Sequence, residues 1–120
     1  MKIAFTTTGT TLRAPLDPRF GRAARFLVYD TDTRAAGVID NAQQLDAAQG
    51  AGIQAAQLVA RAGVGAVVTG HCGPKAFRVL AAAGIAVYTT DAATVAEALE
   101  RHHSGALTAL GGADVEGHWV

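Results

Sequence analysis

Two short runs between residues 64 and 89 are apolar at nearly every position: Gly65-Ala66-Val67-Val68-Thr69 and Ile85-Ala86-Val87-Tyr88. A strand with one wet face alternates apolar and polar residues. A strand without that alternation has both faces covered, as in a parallel sheet flanked by helices. The segments around and between them supply such helices. Ala51, Ala55, Leu58, Val59 and Ala62 recur at helical spacing, which predicts a helix over residues 50–62, stopped by Gly63. Ala76, Phe77, Leu80 and Ala81 mark a second helix, with Pro74 in its first turn and Gly84 beyond its end. Asp91 is the expected N-cap of a third, running to about His102.

The first forty residues read differently. Residues 3–6, 26–30 and 36–40 are expected strands, the last two joined as a hairpin through residues 31–35. Residues 7–24 form a long irregular stretch containing Gly9, Pro15, Pro18 and Gly21, and connections of that length usually carry function. The order β-β-β-α-β-α-β-α with right-handed crossovers predicts an α/β fold. Its mixed five-stranded sheet has spatial order 3-2-1-4-5, with only strand 2 antiparallel. Ligands in such sheets bind beyond the carboxyl ends of the parallel strands. Residues 7–25, 41–50, 70–74 and 89–91 are expected to converge there.

Composition narrows the partners. The 120 residues suit one domain, expected to span 1–120, and ten Lys and Arg balance ten Asp and Glu. Nothing global therefore attracts nucleic acid or an anionic membrane. The single Cys excludes an intrachain disulfide and suits a reducing compartment, so the cytoplasm is expected. The start Met1-Lys2-Ile3-Ala4-Phe5-Thr6 turns polar too early for a signal peptide. No apolar run approaches the roughly 18 residues of a membrane helix.

Local chemistry gathers in two places. Arg13, Arg19, Arg22 and Arg25 fall close together, opposed only by Asp17. Guanidinium groups in that density suit a multi-oxygen or sulfide anion, or else make a solvated loop with one Arg–Asp pair. Thr69-Gly70-His71-Cys72-Gly73-Pro74-Lys75 lies between a buried strand and a helix start, where backbone N–H groups favour negative charge. That field is expected to lower the Cys72 thiol pKa, making it a soft metal ligand or a nucleophile, with His71 beside it. The plainer alternative makes Cys72 a small buried hydrophobe and His71 a surface residue. One Cys and one His do not make a zinc site. His102, His103 and His118 read as helix-end and tail residues.

Weaker signals are Gln49-Gly50-Ala51-Gly52, whose glycines let backbone approach a ligand, and the hydroxyl run Thr6-Thr7-Thr8-Gly9-Thr10-Thr11. No Walker pattern and no serine elbow is present. Asp17, Asp46 and Asp91 lie in the ligand-edge loops, but the first strand carries no acid. Asp30 and Asp32 are expected at the far end of the second strand, which argues against two-metal hydrolysis.

Taken in order, Asp17-Pro18-Arg19-Phe20-Gly21-Arg22, Asn41, Gly50-Ala51-Gly52, Gly70-His71-Cys72-Gly73-Pro74-Lys75-Ala76-Phe77 and Ala83-Gly84-Ile85-Ala86-Val87-Tyr88 form one pattern. The pattern resembles the dinitrogenase iron–molybdenum cofactor biosynthesis family (NifX- and NafY-like), over about residues 1–102. It is most similar to the small stand-alone members, the molybdenum–copper orange proteins. The resemblance implies a ribonuclease H-like fold and non-catalytic binding or carriage of a metal–sulfur cluster. That cluster would be a molybdenum–copper sulfide or an iron–molybdenum cofactor precursor, with partner proteins for delivery. Many relatives carry His where this chain has Arg19 and Gln49. Those departures favour an anionic cluster held by arginine and backbone N–H groups.

The expected binding set is Arg13, Arg19, Phe20, Gly21, Arg22, Gly50, Gly52, Gly70, Gly73 and Lys75, with His71 and Cys72 as optional metal ligands. A site built this way weakens as salt rises. The Arg-rich loop has few packing residues beyond Leu12, Leu16 and Phe20, so it is expected to be loose until the cluster binds. Two rival readings remain: a cofactor-free interaction or regulatory module, and a small-anion enzyme using Cys72 as nucleophile.

Overall fold

A first strand with no wet face needs neighbours on both sides, and it has them. In the computed structural model, which describes residues 1–41 and 50–111, strand β1 (Lys2–Thr7) is buried from Ile3 to Thr7. It lies at the centre of a five-stranded sheet of order β3-β2-β1-β4-β5. On one side are β2 (Arg25–Asp30) and β3 (Ala36–Asp40), each antiparallel to its neighbour. On the other are β4 (Ala66–Thr69) and β5 (Ala86–Thr89), both parallel. Only β2 among the five runs against the rest, as the strand-to-helix order requires. The register sets Ile3, Ala4 and Phe5 beside Ala66, Val67 and Val68.

Alternation along β1 divides the core. Ala4 packs with Phe26, Val67 and Val87 against helices α1 (Ala51–Arg61) and α2 (Pro74–Ala82), through Ala55, Ala56, Val59, Ala76 and Leu80. Ile3 and Phe5 face the other way, with Leu27, Ala66 and Val68, against Val95 and Ala98 of α3 (Val95–His103). The glycines expected to stop the first two helices, Gly63 and Gly84, adopt φ of 79° and 76°. No helix among the described residues is long and apolar enough to cross a membrane.

Two details correct the sequence reading. Asp91 does not cap α3. Thr94 does, its hydroxyl accepting the Glu97 N–H at 3.1 Å while Glu97 Oε1 accepts the Ala93 N–H at 2.9 Å. Thr94 caps the helix and Glu97, three residues on, reaches back to the N–H just before the cap, a variant of the capping box that outcompetes a lone aspartate upstream. Asp91 instead accepts from Arg101 Nη1 at 2.7 Å. The segment after α3 is also more than a tail. Ala109 bridges Tyr88, and the Leu110 N–H donates to the Val87 carbonyl at 2.7 Å, so the chain runs back along the outer edge of β5.

Candidate functional site

The Arg-rich loop leaves the carboxyl end of β1 and is fastened at once. The Asp17 N–H donates to the Thr6 carbonyl at 2.8 Å. The Thr6 hydroxyl lies 2.6 Å from the Asp17 carbonyl and 2.9 Å from the Thr69 hydroxyl. A carbonyl only accepts, so Thr6 gives its one proton to Asp17 and receives one from Thr69. Further on, Arg19 forms a parallel bridge with His71, and the Phe20 N–H donates to the His71 carbonyl at 3.1 Å. Phe20 is buried with its ring 5.3 Å from that of Phe26. The loop expected to be loose is therefore pinned to the sheet by backbone bonds and by burial of Ala14, Leu16, Phe20 and Ala23.

Close backbone approach makes this docking possible. A Cβ on Gly70 would fall 2.6 Å from Pro18 Cα, and one on Gly21 would fall 2.8 Å from Gly52 Cα. Gly70 lets the loop cross the end of β4. Gly21 lets it press against the first turn of α1.

Between these contacts opens a cavity of about 440 Å³ lined by Arg19, Phe20, Gly21, Arg22, Gly50, Gly52, Ile53, His71, Gly73, Pro74, Lys75 and Ala76. Nine of the twelve residues expected from sequence line it: Arg19, Phe20, Gly21, Arg22, Gly50, Gly52, Gly73, Lys75 and His71. Three do not. Arg13 is carried away because the flanking carbonyls of Leu12 and Ala14 accept the Ala96 and Val95 N–H groups at the start of α3. Gly70 is occupied by its packing on Pro18. Cys72 is 2% exposed and sits in the core beside Phe20 and Ala76.

The expected depression of the Cys72 pKa is corrected in sign. Burial pushes the thiol up from its ordinary 9.0 to about 12. Loss of hydration outweighs the field of the nearby helix start. The thiol donates to the Gly73 carbonyl at 3.7 Å. Of the four loops expected to converge, residues 89–91 line no part of the cavity, and Asp91 turns to Arg101. Gln49, Asp46 and His118 lie outside the described residues. Asp30 does lie at the far end of β2, paired with Lys2.

Ile53, Pro74 and Ala76 belong to the lining and were missed. Ile53 carried a signal, since it is an apolar residue off the 51-55-58-59-62 stripe, at the start of a helix. Together with Phe20 these residues give the cavity an apolar floor, while Arg19, Arg22, His71 and Lys75 supply its polar and charged groups.

Two helices begin at the cavity. Gly50 precedes α1 and Gly73 precedes α2, and neither helix has a side-chain cap or an acid in its first turn. The third helix has both. First-turn N–H groups lack intrahelical partners, so α1 and α2 aim uncapped donors and positive dipole ends at one space. No carboxylate among the described residues lines that space. Among the described residues no three His, Cys, Asp or Glu side chains gather as a metal-ion site. The donor set of the described residues is thus N–H groups, cations and one imidazole, which fits an anion and does not fit a bare cation.

Comparison with known proteins agrees in both sequence and shape. The model of the family described as dinitrogenase iron-molybdenum cofactor matches residues 1–105. The apo form of the orange protein from Desulfovibrio gigas is 44% identical, with a TM-score of 0.89 over 92% of each chain. A putative NifB protein from Thermotoga is 32% identical, with a TM-score of 0.80 over 91% of this chain and 92% of that one. An uncharacterized protein of Methanocaldococcus jannaschii is 30% identical over 95 residues, which is 77% of this chain and 80% of the relative.

Proposed function

Since the chain belongs to the dinitrogenase iron–molybdenum cofactor family, we propose that it binds and carries an anionic, molybdenum-containing metal–sulfur cluster without transforming it. The observation that carries this reading is the pair of helix starts without side-chain caps, facing a cavity lined by cationic groups and, among the described residues, by no carboxylate. Arg19, Arg22 and Lys75 neutralise the cargo, and first-turn N–H groups of α1 and α2 donate to its outer atoms. The apolar floor of Phe20, Ile53 and Ala76 suits a large, soft, weakly hydrated anion better than a small, strongly hydrated one. His71 is the exposed imidazole in reach of a metal. The likeness to the orange protein supports a molybdenum–copper sulfide as the cargo, ahead of an iron–molybdenum cofactor precursor. Delivery to a partner protein would follow from carriage.

We read residues 1–120 as one cluster-binding domain and its sheet as the ribonuclease H type, on strand order and the single antiparallel strand. No acid stands on β1, so nuclease chemistry is no part of the reading. The nucleophile reading is disfavoured by a thiol that is buried and hard to ionise.

The test is protein purified from cells supplied with molybdate and copper, assayed by visible absorption and metal analysis. The unmodified chain should be coloured and retain molybdenum. Charge-assisted hydrogen bonds contribute about 1.5–3 kcal/mol each, so Arg19→Ala with Arg22→Ala should weaken retention by at least about tenfold. Cys72→Ser should retain the cluster. Loss only in the Cys72 variant would replace the electrostatic cradle by thiolate ligation. A colourless, metal-free chain would refute carriage in favour of a cofactor-free interaction module.

A further inference from the structure

Asp17 is buried, 4% exposed, and contacts Arg19, which lines the cavity. Its Oδ1 accepts the Arg19 N–H at 2.9 Å and lies 3.6 Å from Arg19 Nε. The Arg19 side chain itself is 66% exposed. The Asp17 main chain is held independently through Thr6, by the two bonds described above. Burying a carboxylate is costly. The turn does not require one, because asparagine offers the same Oδ1 acceptor to the same N–H without the charge. The charge also works against the cavity, offsetting one of the cations that draw an anion in.

We infer that Asp17 limits how tightly the cavity holds its cargo, by keeping a fixed negative charge against Arg19. This rests on the anion-binding reading above. A carrier that must pass its cargo on cannot bind without limit, and a built-in counter-charge sets the ceiling without disturbing the donor geometry. Asp17 acts through Arg19 and through its own field, and does not itself line the cavity. The alternative role, orienting Arg19 for better binding, predicts the opposite sign.

The comparison is binding and release of tetrathiomolybdate by the unmodified chain and by Asp17→Asn, followed by its visible absorption. Removing one unit charge about a side-chain length from the ligand, at a dielectric between protein surface and water, should tighten binding about three- to tenfold. Release should slow in step, and the gain should shrink as salt rises. Asp17→Ala, which loses the turn bond as well, should not show the gain. If Asp17→Asn fails to fold, Asp17→Ser, whose hydroxyl makes the same turn more weakly, should tighten binding in the same direction. Equal or weaker binding by the folded asparagine variant, or a gain indifferent to salt, overturns the inference alone. Failure of the unmodified chain to bind tetrathiomolybdate overturns the anion site with it.

Discussion

Replacing Gly70 by alanine places a methyl group where there is no room. The new Cβ would lie 2.6 Å from Pro18 Cα and 2.9 Å from the Pro18 carbonyl oxygen, both backbone atoms that cannot rotate aside. Relief requires the loop to lift from the end of β4. That motion strains the Arg19–His71 bridge and the Phe20 N–H bond to the His71 carbonyl, the two contacts that set one wall of the cavity. Overpacking costs about 1–3 kcal/mol, here about 1.5–3 kcal/mol because the clash is with backbone, and the stiffer unfolded chain returns about 0.4–1 kcal/mol, leaving a net loss of about 0.5–2.6 kcal/mol. For 120 residues the unfolding entropy makes 1 kcal/mol worth about 4 °C, so Tm should fall by about 2–10 °C. Gly73→Ala is the control, since its Cβ would meet nothing within 4 Å and it lies on the same turn. Thermal unfolding followed by circular dichroism reads both variants. An unchanged Tm for Gly70→Ala, or a larger fall for Gly73→Ala, would show that the close approach to Pro18 does not hold the loop.

Two further outcomes follow from burial. Cys72 should resist iodoacetamide in the native protein at pH 8 and react only once unfolded, because its thiol is raised to about 12; mass spectrometry of the alkylated chain decides it. His102 is held below its ordinary 6.5, first by burial and second by the charge of His103. The unfolded chain then binds that proton more readily than the folded one, so the contribution is intact above about pH 6.5 and lost as pH falls through the depressed value. Urea unfolding between pH 7.5 and 5.5 should show stability dropping on acidification, with a shallower drop in His102→Gln; parallel profiles would refute the assignment.

How much of this was legible depended on whether the deciding contacts were local. The run at 65–69 carries its burial in its own residues, and the parallel half of the sheet could be read from it and from 85–88, although β5, at the sheet edge, is only half-buried at Ala86 and Tyr88. The same holds for Gly63 and Gly84, whose positive φ follows from their place after a helix. Arg13 and Arg19 were indistinguishable as members of one basic stretch. What separates them is pairing with distant elements, α3 for the first and the β4–α2 turn for the second. Cys72 failed for a related reason. Its sequence neighbours advertise a helix start, while its surroundings come from Phe20 and Ala76 in the assembled core. Ala109 and Leu110 have no periodicity to announce a strand, and their pairing exists only because β5 offers an open edge.

That returning segment bears on where this unit can be cut or joined. The family match ends at residue 105, but the bonds that occupy the outer edge of β5 come from residues 109 and 110. A chain trimmed to the matched span would keep every named helix and strand and still present unpaired N–H and C=O groups along β5, an invitation to intermolecular pairing. Anyone grafting this fold onto another protein, or attaching a label behind it, should place the junction beyond Leu110, because the sheet finishes later than the matched family span does.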